Sequence, residues 1–192
     1  MFNFSSASAK ADWGIVASIG QSSADVTKIE LNNALDDQYA EVTSIDDTDM
    51  SWRLGVNYSI DNHWFIEASY VDLGAFSSTV EGITLNPEDF QQKVASALPT
   101  NASGFTVGGG YQYEINDRWY IDANTGLFSW ESDNTSKGAA TLTNSQDGTD
   151  LYYGVGLGVQ LMENMKISLN YTNYNLESND VATTALTINY HF

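Results

Sequence analysis

Apolar and polar side chains alternate along much of this chain. Successive side chains of a β-strand point to opposite faces, so alternation with a period of two predicts strands that separate two environments. The C-terminal stretch ATTALTINYHF, from Ala182 to Phe192, is the clearest case. Its apolar side chains share one face, and these are Leu186, Ile188, Tyr190 and Phe192. The pattern predicts a two-faced strand that continues to the last residue.

Seven further segments alternate in the same way. Their apolar positions fall within residues 13–19, 52–60, 64–70, 105–115, 119–127, 153–161 and 167–171. With its flanking residues, each segment approaches the roughly 10 residues with which a tilted strand crosses a bilayer. The sequence therefore predicts eight strands.

The connections between these segments alternate between short and long. The three short ones each pair Asn with an acidic residue, and they lie at residues 60–64, 115–119 and 161–165. Both residue types tolerate turn geometry, so we expect three versions of one hairpin turn. The longer connections lie at residues 22–50, 74–103, 131–150 and 177–181. The second of these is expected to hold a short helix that Asn86 caps and Pro99 ends.

Short turns at one end of a sheet and long loops at the other are typical of outer-membrane barrels. The chain is therefore predicted to be all-β, an eight-stranded antiparallel up-and-down transmembrane β-barrel with short periplasmic turns and long extracellular loops. Both termini are then expected on the periplasmic side. Residues 12–192 are assigned to the barrel domain. Residues 1–11 contain small-x-small steps and are interpreted as an N-terminal tail or signal remnant.

The face opposite the apolar one separates a membrane barrel from a soluble barrel with an apolar interior. It carries mainly short side chains, such as Gly108, Gly110, Gly154, Gly156 and Gly158. A water-facing sheet usually displays Lys and Glu, yet the 192 residues include only 7 Lys and Arg. Short side chains instead suit the crowded lumen of a small barrel. No apolar run approaches the roughly 18 residues of a transmembrane helix.

Aromatic residues fall near both ends of the predicted strands. Tyr and Trp prefer the interfacial region of a membrane, so two aromatic bands flanking an aliphatic middle are expected of a membrane barrel. The predicted interface residues are Trp52, Tyr58, Trp64, Tyr111, Tyr113, Trp119, Trp130, Tyr190 and Phe192. Tyr152 and Tyr174 are placed in the loop-side band as well.

The chain resembles the OmpA-like transmembrane domain and its small single-domain relatives, which are OmpX-like. The resemblance rests on WFIEASYVDLG at 64–74, FTVGGGYQYEINDRWYIDANTG at 105–126, YYGVGLGVQL at 152–161 and the terminal TINYHF. It covers the strands and short turns, roughly half of the chain. In such barrels a terminal Phe with apolar residues at alternate positions before it is read by the barrel-insertion machinery. The resemblance therefore implies an insertion signal at Leu186, Ile188, Tyr190 and Phe192.

Charged residues on the predicted inner face suggest an internal ion-pair cluster. These residues are Arg53, Glu67, Asp122, Glu114 and Lys166. A charge in a narrow lumen needs a partner, so Arg53 is expected to pair with Glu67, with Asp122 close by. The resemblance implies a comparable cluster that blocks or gates the interior. The cluster is interpreted as a structural plug, with a gate as the alternative.

Acidic residues are concentrated in the long connections. The chain has a formal net charge of −18, and residues 22–50 contain eight acidic residues against one lysine. Such a negative field repels polyanions, which excludes nucleic acid as a partner. Asp46, Asp47 and Asp49 are weak candidates for a divalent-cation site, although their spacing matches no calcium loop. The simpler interpretation is a set of solubilising surface loops.

These features predict an integral outer-membrane protein with a structural and surface-interaction role, including adhesion through its acidic loops. The alternative is a narrow pore or transporter of small ions or hydrophobic molecules. No enzymatic activity and no cofactor are expected, since His63 lies in a predicted turn and His191 at the chain end. The expected partners are outer-membrane lipid, lipopolysaccharide, the insertion machinery and a surface ligand. The protein is expected to be a monomer.

Overall fold

The structure is a computed structural model that describes residues 12–25, 29, 32, 40–82, 102–137, 141–176 and 180–192. The helix predicted between Asn86 and Pro99 and the tail at 1–11 lie outside the described residues. Within the described part of the chain, no helix is both long and apolar enough to cross a membrane.

Ten strands make up almost all of the described chain. They are β1 (Asp12–Ala24), β2 (Ala40–Asp46), β3 (Thr48–Ser59), β4 (Trp64–Asp72), β5 (Ser77–Gly82), β6 (Ala102–Glu114), β7 (Trp119–Lys137), β8 (Thr141–Met162), β9 (Met165–Asn175) and β10 (Asp180–His191). Eight of them close into an antiparallel barrel in the order β1-β10-β9-β8-β7-β6-β4-β3. All eight predicted strands are present, and the predicted fold class is confirmed.

The first and last strands close the barrel. Antiparallel pairing between β1 and β10 extends from Gly14↔His191 to Ala24↔Val181. The backbone N–H of Phe192 donates a hydrogen bond of 2.9 Å to the carbonyl of Trp13. The last strand therefore uses the whole C-terminal stretch, as its alternation predicts.

Two of the three short turns share one geometry. In the first, Asp61 Oδ1 accepts hydrogen bonds from the backbone N–H groups of His63 and Trp64, at 2.7 and 2.8 Å. In the second, Asn116 Oδ1 accepts from Arg118 and Trp119, both at 3.0 Å. The third turn differs, because Met162 pairs directly with Met165 after an irregularity in β8. The prediction of three equivalent turns is therefore wrong for residues 161–165.

Three of the long connections contain strand residues that alternation did not predict. β2 pairs with β5 to form a separate two-stranded ribbon above β3 and β4. β7 and β8 remain paired up to Lys137↔Thr141, far beyond their last rungs with β6 and β9. Within the segment 131–150, the described residues 131–137 and 141–150 are thus paired strands instead of a loop. Polar residues dominate both of its strands, so they lack the apolar face that reveals a strand in the sequence.

The barrel strands have an apolar outer face and a packed inner face. Adjacent residues of β6 illustrate this, because Val107 is 64% exposed whereas Thr106 is 2% exposed. Glycines on the inner face make room for large side chains of neighbouring strands. A Cβ atom at Gly126 would lie 2.8 Å from the ring of Tyr152, and one at Gly110 would overlap the ring of Phe65. The sequence prediction of a crowded lumen is confirmed.

The shared turn geometry predicts a difference in pH dependence between the first two turns. The backbone N–H groups of Trp64 and His63 hold the pKa of Asp61 below its ordinary value of about 3.9. A carboxylate with a lowered folded-state pKa stabilises the turn above its unfolded-state pKa, and this stabilisation is lost as pH falls through the folded-state pKa. We expect the amide NMR signals of His63 and Trp64 to titrate below the ordinary value. The Asp61→Asn variant should show no such titration, and a midpoint at the ordinary value would contradict the geometry.

The inner-face glycines predict a strong contrast between two adjacent positions of β6. A Cβ atom at Gly108 would overlap the hydroxyl of Tyr152 and the carbonyl of Thr125, whereas Gly109 points to the outer face. Gly108→Val should lower the free energy of unfolding by about 1–3 kcal/mol through overpacking. Gly109→Val is the matched control and should lower it less, because a Cβ atom there meets one backbone oxygen, that of Phe65 at 2.9 Å, and otherwise faces outward. Urea unfolding in lipid vesicles measures both, and equal effects would show that the lumen is loosely packed.

Candidate functional site

The interior of the barrel consists of two layers with different chemistry. Toward the long connections lies an apolar layer, here called the aromatic plug, which includes Val71, Leu73, Phe76, Phe128, Trp130, Tyr152, Tyr174, Leu176 and Val181. Toward the short turns lies a polar chamber of about 50 Å³, whose lining includes Arg53, Asn57, Glu67, Tyr120, Asp122 and Lys166. Any path along the barrel axis has to pass both layers.

Arg53 and Glu67 form the predicted ion pair. Arg53 Nη1 lies 2.9 Å from Glu67 Oε1, and the two side chains are only 11% and 7% exposed. Ser69 Oγ donates a hydrogen bond of 2.9 Å to the same oxygen of Glu67, and Arg53 Nε lies 3.4 Å from Ser18 Oγ. The two residues lie on the adjacent strands β3 and β4 with their side chains inward. Because both side chains point into the lumen from neighbouring strands, they are close enough for each to compensate the buried charge of the other.

The other predicted cluster members are not drawn into this pair. Asp122 accepts a long hydrogen bond of 3.4 Å from Asn170 Nδ2. Lys166 Nζ donates to Gln112 Oε1 at 2.8 Å and lies 5.3 Å from the ring centroid of Tyr120. Glu114 is exposed at the short-turn end. Among the described residues, Arg53–Glu67 is the one ion pair within 4.0 Å, so the predicted cluster is a pair with separate charges around it.

The plug consists of aromatic rings in mutual contact. The ring centroids of Phe128 and Tyr174 are 5.1 Å apart, and those of Tyr152 and Tyr174 are 5.8 Å apart. Phe128 and Tyr152 are fully buried. The sequence analysis did not identify this layer. The alternation of side chains along a strand could have identified it. Phe128 lies an even number of residues from the inward-facing Asp122 on β7, and Tyr152 lies two residues from the inward-facing Gly154 on β8.

Trp130, Tyr152 and Tyr174 are therefore corrections to the predicted aromatic bands. Trp130 is only 5% exposed, and its Nε1 donates a hydrogen bond of 2.7 Å to Asp150 Oδ2. Its ring lies over Gly148, which has no side chain to displace it. These three residues point inward because each lies an even number of positions from other inward-facing residues of its strand. This position outweighs the preference of Trp and Tyr for the membrane interface. They seal the lumen and do not contact lipid.

The remaining predicted interface aromatics lie on the outer face of the barrel. Trp52, Trp64, Tyr111, Tyr113, Trp119, Tyr190 and Phe192 are exposed there, and Tyr58 is half-buried against Trp13. Leu186 and Ile188 share the outer face of β10 with Tyr190. Their position agrees with contact to lipid. Their roles as interface anchors and as an insertion signal remain predictions.

One of the acidic residues at the start of β3, Asp49, has a structural role. Asp49 Oδ2 accepts a hydrogen bond of 2.6 Å from the backbone N–H of Ala75, and Oδ1 accepts one of 2.7 Å from Met50. These bonds hold the segment after β4 against β3. No three His, Cys, Asp or Glu side chains in the described ranges are placed to hold a metal ion, so Asp46, Asp47 and Asp49 do not form such a group.

Comparison with solved structures identifies small barrels of the same architecture. The attachment invasion locus protein Ail of Yersinia pestis is 18% identical with a TM-score of 0.51, and the match covers 93% of this chain and 98% of that one. The N-terminal β-barrel domain of Pseudomonas aeruginosa OprF is 11% identical with a TM-score of 0.57, covering 95% and 100%. Neisserial surface protein A is 11% identical with a TM-score of 0.55, covering 94% and 97%. At these identities the likeness shows the fold alone.

A search of curated protein sequences finds no significant match. The family model for the outer membrane protein beta-barrel domain, in contrast, matches residues 1–192. Together with the closed eight-stranded barrel, this match confirms the resemblance on which the sequence analysis relied. The chain belongs to the outer membrane protein β-barrel family.

Proposed function

We propose that this protein is a closed barrel that contributes to the integrity of the outer membrane and interacts with its surroundings through its surface segments. The observation that carries this proposal is the aromatic plug. Hydrophobic constrictions stop ion flow because water does not enter them readily. The ring layer formed by Phe128, Tyr152 and Tyr174 spans the lumen above the Arg53–Glu67 pair, so the ion pair alone does not control passage.

The surface segments support an interaction role. The β7–β8 extension and the β2–β5 ribbon both continue beyond the barrel wall, and paired strands present backbone and side chains at less entropic cost than a flexible loop does. The sequence of residues 131–150 is rich in Asp, Asn, Ser and Thr, which suits a solvated contact surface. Two proteins of the same fold are named for attachment and invasion and for the cell surface, which agrees with this proposal.

We propose that the short turns and both termini face the periplasm. The start of β1 and the end of β10 lie at the same end of the barrel as the short turns, because Phe192 N–H donates to the carbonyl of Trp13 and His191 N–H donates to the carbonyl of Asn164 in the third short turn. Short periplasmic turns and longer extracellular segments are the usual arrangement in outer-membrane barrels. In this orientation the protein meets lipopolysaccharide on its loop side. We also propose that it acts as a monomer and is not an enzyme.

The alternative of a narrow pore has weaker support. The polar chamber could admit water from the short-turn end, but the plug closes the other end of the lumen. A transporter of hydrophobic molecules would require the plug residues to move apart. The structural role needs no such change.

Planar-bilayer recordings of the refolded protein test this proposal. We expect the wild-type protein and Arg53→Ala to show no discrete openings, because the plug remains in both. Phe128→Ala combined with Tyr152→Ala should produce openings, since it removes two rings from the layer. Leu127→Ala on the lipid face is the matched control and should stay silent. Folding of each variant is checked by circular dichroism and by heat-modifiable gel migration.

Two outcomes would contradict the proposal. Reproducible openings of the folded wild-type protein would show that the plug does not close the barrel. Openings of Arg53→Ala with a silent wild type would show that the ion pair is a gate.

A further inference from the structure

An apolar groove crosses the outer face of the barrel, and on β6 and β7 it begins close to the short turn between these strands. It has a volume of about 530 Å³ and its lining includes Tyr111, Tyr113, Ala123, Val155, Leu157 and Tyr171. These residues belong to the four consecutive strands β6, β7, β8 and β9. Large outward-facing side chains such as Tyr113 and Leu157 form its walls.

The floor of the groove is formed by a small residue on β7. Ala123 pairs with Tyr111 on one side and with Val155 on the other. Tyr111 leans toward the first short turn and the start of β4, where its ring stacks on His63 at 5.5 Å and meets Trp64 edge-on at 4.9 Å. These two contacts hold one wall away from Ala123. The groove therefore depends on fixed neighbours and is present before any ligand enters.

A cationic residue lies beyond the short-turn end of the groove. Arg118 is exposed in the turn between β6 and β7, and it is the one Lys or Arg in the sequence of the three short turns. It precedes Ile121, another residue of the groove lining, by three positions, about 10 Å along an extended strand. The exposed Trp119 lies between them, as an aromatic residue at headgroup depth would. Arg is well suited to bind phosphate through charge-assisted hydrogen bonds.

We propose that the groove binds one acyl chain of a phospholipid whose phosphate is held by Arg118. The apolar walls match a hydrocarbon chain, and the cation at one end matches an anionic phosphate. The choice of phospholipid over lipopolysaccharide rests on the proposed orientation, which puts the short turns in the periplasmic leaflet.

Native mass spectrometry tests the proposal on the full chain refolded in vesicles of phosphatidylglycerol and phosphatidylethanolamine. We expect the wild-type protein to retain one phospholipid after transfer to detergent. Ala123→Phe fills the groove and should lower the retained fraction about tenfold, the equivalent of about 1.4 kcal/mol. Ala68→Phe adds the same ring to the lipid face of β4, away from the groove, and should retain lipid like the wild type. Ala123→Ile is a second, smaller filling variant.

Substitution of Arg118 tests the headgroup contact separately. Arg118→Gln should lower retention of phosphatidylglycerol about tenfold, as expected for loss of a charge-assisted hydrogen bond, while Arg118→Lys should preserve most of it. Retention by Ala123→Phe equal to that of the wild type would overturn the groove site. Unchanged retention by Arg118→Gln would overturn the phosphate contact.

A parallel incubation with lipopolysaccharide separates this proposal from the proposed orientation. A groove-dependent lipopolysaccharide adduct without a phospholipid adduct would overturn both the phospholipid assignment and the orientation. If neither adduct forms, the groove site is overturned but the proposed function is not, because the conductance and orientation of the barrel do not depend on the groove.

Discussion

Backbone hydrogen bonding in hydrocarbon is the constraint on which this structure depends. A lipid bilayer offers no water to the N–H and C=O groups of a strand, so a sheet that spans it must close on itself. Pairing of β1 with β10 provides that closure, and its rungs continue to the hydrogen bond between Phe192 and Trp13. Because closure fixes the register of every strand, it also fixes which residue of each adjacent pair faces lipid and which faces the lumen.

The lumen residues meet a second requirement, which is to fill a narrow space and to give each buried charge a polar partner. Inner-face glycines such as Gly108 and Gly126 admit the ring of Tyr152 from a neighbouring strand. Arg53 and Glu67 compensate each other where a single buried charge would be costly. The result is an interior that is apolar toward the long connections and polar toward the short turns. A closed interior directs attention to the outer face and the surface ribbons as places where the protein interacts.

Alternation predicted the barrel well because each strand separates lipid from lumen. The same signal fails where both faces meet water, which is why the outer part of the β7–β8 hairpin and the β2–β5 ribbon were expected to be loops. The Arg53–Glu67 pair was predictable because inward charges on adjacent strands must be compensated. Trp130 was assigned to the membrane interface because of its residue type, although its position along β7 places it on the inner face. The acyl groove depends on how Tyr111 leans toward Trp64, and no sequence pattern records that.

Single-cysteine labelling tests the closed, two-faced barrel most directly, and the chain contains no cysteine of its own. Two adjacent pairs offer conservative sites, Thr106 with Val107 on β6 and Thr187 with Ile188 on β10. In lipid vesicles, spin labels at 107 and 188 should collide readily with oxygen dissolved in the hydrocarbon. Cysteines at 106 and 187 should resist both lipid-soluble and water-soluble reagents, because they lie in the packed lumen. Labelling at 106 or 187 from the lipid phase, or protection at 107 and 188, would contradict the register on which the account rests.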